Sequence, residues 1–314
     1  MRANICLPMV ILQKEIFIDP LSDFGFKKVF LNKAVILKDF LNTVLKLEVP
    51  IAEIVFINTE QLGELKDDRR PVFDIHCRDE QGNYFIIEIQ RLKEEFFRDR
   101  SVYYSTFPIR SQGEKGKWNY QLKRTYTICI LDFCFDDTHP DQLFHEVKLM
   151  ETGTLKVFSE TLTLLYVELP KFKKPLHALI TREDQWLFLL TNMSGLTEIP
   201  LSLTDDPVFK QIFMDARKAH LTELELEAYY AGKKKEWDEY AIMETAIKEG
   251  REEGKAIGKS EGRAEGRAEG KKEGISEGTL IVAKNMLKNG IDIRVISECT
   301  GISMNELEKL NCTK

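Results

Sequence analysis

Two acidic residues interrupt apolar stretches of this chain. One is Asp74, in Pro71-Val72-Phe73-Asp74-Ile75-His76-Cys77. The other is Glu88, in Tyr84-Phe85-Ile86-Ile87-Glu88-Ile89-Gln90. Each run has the composition of a β-strand. The polar stretch Arg78-Asp79-Glu80-Gln81-Gly82-Asn83 between them supplies a turn, so the spacing predicts a β-hairpin. Gln81 is the pivot, with Asp74 seven residues before it and Glu88 seven after. A three- or five-residue loop centred there sets the carboxylates opposite one another, with Cβ atoms ~5 Å apart. Gln90 lies two residues past Glu88 and shares its face. Like charges at that distance repel, and an unpaired buried charge is costly. A divalent cation is the simplest compensation. Mg²⁺ takes one or two carboxylates, keeps several waters and leaves room for a phosphate. The alternative is that basic residues at the sheet ends pair with Asp74 and Glu88.

The elements that would position this trio follow from the apolar pattern. Residues 21–47 have helical spacing, interrupted at Asn32. Ala52 to Thr59 suggests a first strand. After the hairpin, Glu94 to Gln112 predicts a helix with Phe96, Phe97, Val102, Tyr103 and Phe107 inward and Pro108 kinking or ending it. Arg124 to Phe133, Phe144 to Leu149 and Leu162 to Leu169 suggest strands, Trp186 to Leu190 a helical turn, and Asp206 to Ala246 a helical region. Helix, three strands, helix, strand is the resulting order of the core.

At the hairpin the chain resembles the PD-(D/E)xK nucleases, and more narrowly the recombination-promoting nuclease and transposase-like family, whose third motif is Glu-x-Gln. Further similar stretches are Asp19-Pro20-Leu21-Ser22-Asp23-Phe24-Gly25-Phe26-Lys27-Lys28-Val29-Phe30, Ile130-Leu131-Asp132-Phe133, Val167-Glu168-Leu169-Pro170-Lys171-Phe172 and the glycine-rich tail. Together they extend over roughly residues 16 to 310. The resemblance implies an α/β (α+β) fold: a restriction-endonuclease-like core of a mixed sheet flanked by helices, with a C-terminal helical region and a charged Gly-repeat tail. It implies a Mg²⁺-dependent DNA endonuclease, with Mn²⁺ an acceptable substitute, that promotes recombination or acts on mobile or foreign DNA. Asp74, Glu88 and the Ile89 carbonyl would hold the metal, which would activate a water and stabilise charge on the phosphate. Gln90 stands where the wider superfamily has lysine. It can orient a water but carries no charge, so Lys27, Arg91 or Arg100 must supply the positive charge. Arg100 and Tyr103, three apart on the predicted helix, could face the site together. Asp23 is read as a helix N-cap, with an accessory role in the site, beside Lys27, as the alternative. Asp132 is read as a turn former. Lys115, Lys117, Trp118, Lys123 and Arg124, with Tyr120, make a basic-aromatic patch suited to DNA contact. The competing function is a non-catalytic, DNA-associated scaffold that assembles through its tail.

Bulk properties narrow the classes. A chain of 314 residues predicts two domains or one domain with an appendage. The net charge of −6 argues against tight coating of DNA by the whole surface, though a local basic patch suffices for binding. The six cysteines (Cys6, Cys77, Cys129, Cys134, Cys299 and Cys312) have no zinc-type spacing and suit a reducing, cytoplasmic compartment. His76 beside Cys77 is read as hairpin packing. No apolar run reaches the ~20 residues of a membrane helix, and residues 1–15 are read as a loose leader without signal-peptide features.

From Gly250 to Gly278 every fourth residue is glycine, which accounts for eight of the 18 glycines. Acidic residues precede most of them and basic residues follow. On a helix each set forms a slowly drifting stripe. Each glycine costs ~1 kcal/mol relative to alanine, so a free monomer is expected to carry a partly disordered linker here. A homo-oligomer could use the glycine stripe for close helix approach, with acidic flank meeting basic flank in a parallel dimer. The expected divisions are therefore a leader 1–15, a nuclease-like domain 16–200, a helical subdomain 201–248, the repeat 249–278 and a small helical module 279–314. In that module, short helices around Thr300-Gly301 resemble a helix-turn-helix. Its mixed charge points to packing or partner binding rather than to DNA reading.

Overall fold

The structure is a computed structural model that describes residues 16–57, 73–114, 116–135 and 139–311. The leader, Thr59, Pro71, Val72, Lys115, Cys6 and Cys312 lie outside these residues. The chain divides into two compact units, Met1–Glu236 and Trp237–Lys314.

The first unit is built on one mixed six-stranded sheet. Its strands are β1 (Ile54–Phe56), β2 (Ile75–Asp79), β3 (Tyr84–Gln90), β4 (Thr125–Leu131), β5 (Phe144–Glu151) and β6 (Lys156–Glu168), in the order β1-β2-β3-β4-β6-β5. β3, β4 and β6 are parallel neighbours, and the outer pairings are antiparallel. The parallel step from β3 to β4 needs a crossover, and α3 (Phe97–Ser111) supplies it. β6 runs longer than its apolar segment suggests, because exposed residues from Lys156 onward extend it in a hairpin with β5.

One face of the sheet carries the main core. Phe85, Ile87, Tyr126, Ile128, Ile130, Leu165 and Val167 pack there with α1 (Asp23–Phe30), α2 (Ala34–Leu45), α4 (Arg182–Asn192) and α6 (Pro207–Ala216). Asn32, at a φ of 60°, makes the expected break between α1 and α2. The opposite face carries a smaller cluster of Phe97, Cys129, Leu131, Leu164 and Tyr166 under α3. The expected inner face of α3 needs correction. Its buried residues are Phe97, Ser101, Ser105 and Pro108, whereas Phe96, Val102 and Tyr103 are exposed. Pro108 sits inside the helix and does not end it. α3 approaches β4 through small residues, which let the helix sit close. The short helix α5 (Leu201–Thr204) precedes α6.

The helical region after Asp206 is interrupted between Ala216 and α7 (Glu223–Lys288). There Arg217 turns extended and bridges Phe17. The N–H of Ile18 donates to Ala216 O at 2.9 Å and that of Lys218 to Ile16 O at 2.9 Å, a strand-like contact that outcompetes helix continuation.

In the second unit the repeat 249–278 lies within α7, with every residue exposed. It is helical where a partly disordered linker was expected. α8 (Ile293–Thr300) and α9 (Met304–Asn311) close the chain around Ala283, Ile296 and Leu307. Gly301, in the left-handed region at a φ of 71°, makes the turn between them.

Candidate active site

The hairpin has the register that the spacing predicts. Ile75 pairs with Ile87 and Arg78 with Tyr84. The turn is held by Asp79, whose carboxylate accepts from Gln81 N at 3.0 Å and from Asn83 N at 2.7 Å, while Gly82 takes a φ of 86°. Asp74 stands one residue ahead of β2 rather than inside it, opposite Glu88. The two are locked reciprocally. Asp74 N donates to Glu88 Oε1 at 3.4 Å, and Ile89 N donates to Asp74 Oδ2 at 2.8 Å. Along β3 the even residues bond towards β4, as with Gln90 O accepting from Asp132 N at 2.9 Å. The Ile89 carbonyl therefore faces the Asp74 side.

Glu88 is only 8% exposed and Gln90 9%. Burial pushes the Asp74 carboxyl up to about 6, and nearby Asp23 adds to the rise. Burial and the neighbouring Asp74 hold Glu88 well above the carboxylate range. The two cations nearest in effect are engaged elsewhere: Lys27 bridges Asp23 at 2.6 Å and Arg100 bridges Glu94 at 2.6 Å. Two carboxylates of like charge, one buried and one half-buried, with a backbone carbonyl beside them, suit a hard divalent cation. Among the described residues no group of three or more His, Cys, Asp or Glu could hold a metal, so any ion here keeps much of its shell as water.

Gln90 donates from Nε2 to Leu92 O and to Glu94 Oε1, both at 2.9 Å, and its Oε1 accepts from Arg100. One lone pair of Oε1 remains. Arg100 thus brings its guanidinium to the position where Gln90 carries no charge. Tyr103 is exposed and packs against Phe107. Tyr104 is the tyrosine beside the pair: its hydroxyl is pushed up by burial and by Glu88, and Arg100 lies 6.0 Å from its ring. Glu94 and Tyr104 were both missed. Glu94 had a signal, since it lies four residues after Gln90 and six before Arg100. Tyr104 had none, because Tyr103 fits helical spacing equally well.

The N-terminal motif resolves into separate tasks. Ser22, not Asp23, caps α1, its Oγ accepting from Gly25 N at 3.1 Å. Asp23 is the first helical residue, and with Lys27 it lies within electrostatic reach of Asp74. Gly25 is required, since a Cβ there would fall 1.9 Å from Asp19 O. Asp19 accepts from Arg91 Nη1 at 2.8 Å and from Lys233 Nζ at 2.7 Å. Arg91 also bridges Glu236 at 2.8 Å and Asp132 at 3.6 Å, so its charge serves this cluster rather than the carboxylate pair. Glu168 is fully buried against Lys171, and His76 packs between Phe73 and Tyr84 as expected.

The basic-aromatic patch stands apart from the pair. Lys123 and Arg124 lie at the start of β4, beside Tyr84, a strand length of ~20 Å from Gln90. Trp118 and Tyr120 pack with their rings tilted by 38° and centroids 4.8 Å apart, and Lys117 is exposed.

The acidic pair and the Glu-x-Gln strand lie in the interior of a mixed sheet crossed by a helix, as the resemblance to the PD-(D/E)xK nucleases leads one to expect. The chain belongs to the PD-(D/E)XK nuclease family transposase group, whose family model matches residues 20–246. A second model, the C-terminal helix-turn-helix domain of the Rpn/YhgA-like nuclease family, matches residues 276–311. That match corrects the preference for a plain packing module: the terminal helices are similar to a helix-turn-helix domain, and with the nuclease domain they indicate DNA as the partner. Neither a curated protein nor a solved structure matches the chain. No helix among the described residues is long and apolar enough to cross a membrane.

Proposed function

We propose that this nuclease is a Mg²⁺-dependent DNA endonuclease that hydrolyses phosphodiester bonds during recombination or against mobile or foreign DNA. The observation that carries the reading is the Asp74–Glu88 pair, Glu88 buried and Asp74 half-buried, mutually repelling and bridged by no described cation. Asp74, Glu88 and the Ile89 carbonyl would hold the ion. When bound, it would lower the pKa of a water and neutralise charge on the phosphate. Gln90 Oε1 orients a water through its remaining lone pair. Arg100 places positive charge beside the phosphate, in the role a lysine has elsewhere in the superfamily. Lys27 adds a second cation at the rim.

The repeat 249–278 supports self-association. A Cβ at any of its eight glycines would meet nothing within 4 Å, so the stripe is open to a second copy. Flank complementarity favours a parallel pair. Cross-links joining the Gly250 and Gly278 regions of two chains would overturn that orientation. Cys77, Cys129, Cys134 and Cys299 form no disulfide among the described residues, which suits a cytoplasmic setting.

The test is nicking of supercoiled plasmid by the wild type, Asp74→Ala and Gln90→Ala, in Mg²⁺, Mn²⁺ and EDTA. Metal-dependent nicking lost in Asp74→Ala is expected. A folded wild type that nicks with neither metal would favour the scaffold reading.

A further inference from the structure

We infer that the exposed face of α3 and the loop after it form a binding track for an unpaired DNA strand. The substrate reaching Asp74 and Glu88 is then single-stranded or locally melted DNA. The inference rests on the nuclease reading for the chemistry at the end of the track. The track itself rests on α3.

α3 begins at the site, where Arg100 meets Gln90, and ends at the opposite end of the strands, where Gln112 Oε1 accepts from Lys123 N at 2.6 Å. In its middle the burial is inverted. Between buried Phe97 and Pro108, Ser101 and Ser105 are buried, whereas Tyr103 is 47% exposed. Apolar burial alone would select the opposite arrangement. Arg100, Tyr103, Phe107 and Arg110 follow one another at spacings of three and four, so they share one face over ~15 Å of helix. Tyr103 and Phe107 meet edge to face, with centroids 5.1 Å apart. Beyond the helix the Trp118 ring lies 3.9 Å from where a Gly113 Cβ would stand, and it packs at a tilt against Tyr120. Tyr120 is 78% exposed and held at a φ of 60°, a conformation uncommon for a residue with a Cβ.

Cations and rings thus line the way from the carboxylate pair to the 116–123 loop, with Tyr103 and Tyr120 exposed and Phe107 and Trp118 half-buried. Rings accept the faces of unpaired bases without regard to sequence, and cations accept the intervening phosphates. A duplex keeps those faces in its own stack and offers them nothing. The chain's net charge of −6 also suits a grip that relies on stacking rather than on a broad basic surface.

The test is fluorescence anisotropy of the full chain in EDTA, with labelled oligothymidine and a duplex of equal length. The proteins are the wild type, Tyr103→Ala, Tyr103→Phe and Trp118→Ala, each with its melting curve recorded. Each alanine variant is expected to weaken single-strand binding about tenfold, with Tyr103→Phe retaining it and duplex binding unchanged. Unchanged single-strand affinity in both folded alanine variants would overturn the track, as would an equal loss on duplex. Because metal is absent, the result is independent of hydrolysis. A track that binds in a chain that nicks nothing would sink the nuclease reading alone. Nicking with unaltered variant affinities would sink the track alone.

Discussion

Asp19 and Glu88 lie equally deep, yet the protein treats them oppositely. Asp19 is 7% exposed and Glu88 8%. Asp19 is met by Arg91 and Lys233, and these cations hold its carboxyl below the usual range despite burial. Glu88 is met by Asp74, and both carboxyls are driven up. Arg91 directly follows Gln90, so the chain has a cation available beside the pair and directs it to Asp19. Burial with compensation marks a structural joint. Burial without it marks a place where charge is wanted and is to come from outside.

The largest expected effect separates the two in activity. Asp74→Ala and Glu88→Gln should each lower metal-dependent nicking by on the order of 10³-fold. In EDTA at neutral pH, Glu88→Gln should raise the melting temperature, because it removes a repulsion. A Glu88→Gln variant less stable than the wild type in EDTA would break the comparison.

Asp19→Asn should do the reverse. Removing one partner of a buried ion cluster leaves the others uncompensated, at a cost of about 3 kcal/mol. Denaturant unfolding of the metal-free chain measures it. Wild-type stability in this variant would mean that Glu236 alone suffices for Arg91 and Lys233.

The pH dependence sharpens the contrast. Asp74 titrates near 6 in the folded chain, above its ordinary 3.8. Between those values the folded state holds more protons than the unfolded one, so this pair's contribution to metal-free stability falls as pH rises through about 4 to 6. Asp19, held low, contributes stability at neutral pH that disappears as pH falls through its depressed value. Mg²⁺ needs both carboxylates ionised. Its thermal stabilisation should therefore be absent at pH 5 and large at pH 7.5. A metal shift independent of pH would place the ion elsewhere.

How much of this was legible depended on sequence distance. The hairpin register could be read because Asp79, Gly82 and Asn83 specify the turn locally, and a charge within an apolar strand stands out. Ser22 and Asp23 are both capping types, so composition alone could not choose between them. Tyr103 and Tyr104 differ by 100° on a helix that buries Ser101 and Ser105 in its middle, against the usual apolar rule. The joint of Asp19 with Lys233 spans 214 residues and has no local trace. The break at Arg217 arises from its bridge to Phe17, which lies equally far outside any local window.

The smallest effect concerns the repeat, where neither kind of acidic cluster occurs and every residue is exposed. If the glycines only permit a solvated helix, alanine should improve it by about 1 kcal/mol at each position. If they let two helices approach, a methyl group holds the backbones apart. Gly262→Ala, Gly266→Ala and Gly270→Ala combined separate these cases, since helicity and association then move in opposite directions. Circular dichroism should show helix content maintained or raised, and sedimentation should show a weaker dimer. Higher helicity with unchanged association would make the stripe a property of the single helix, and assembly would then have to be sought in the C-terminal helices around Ile296.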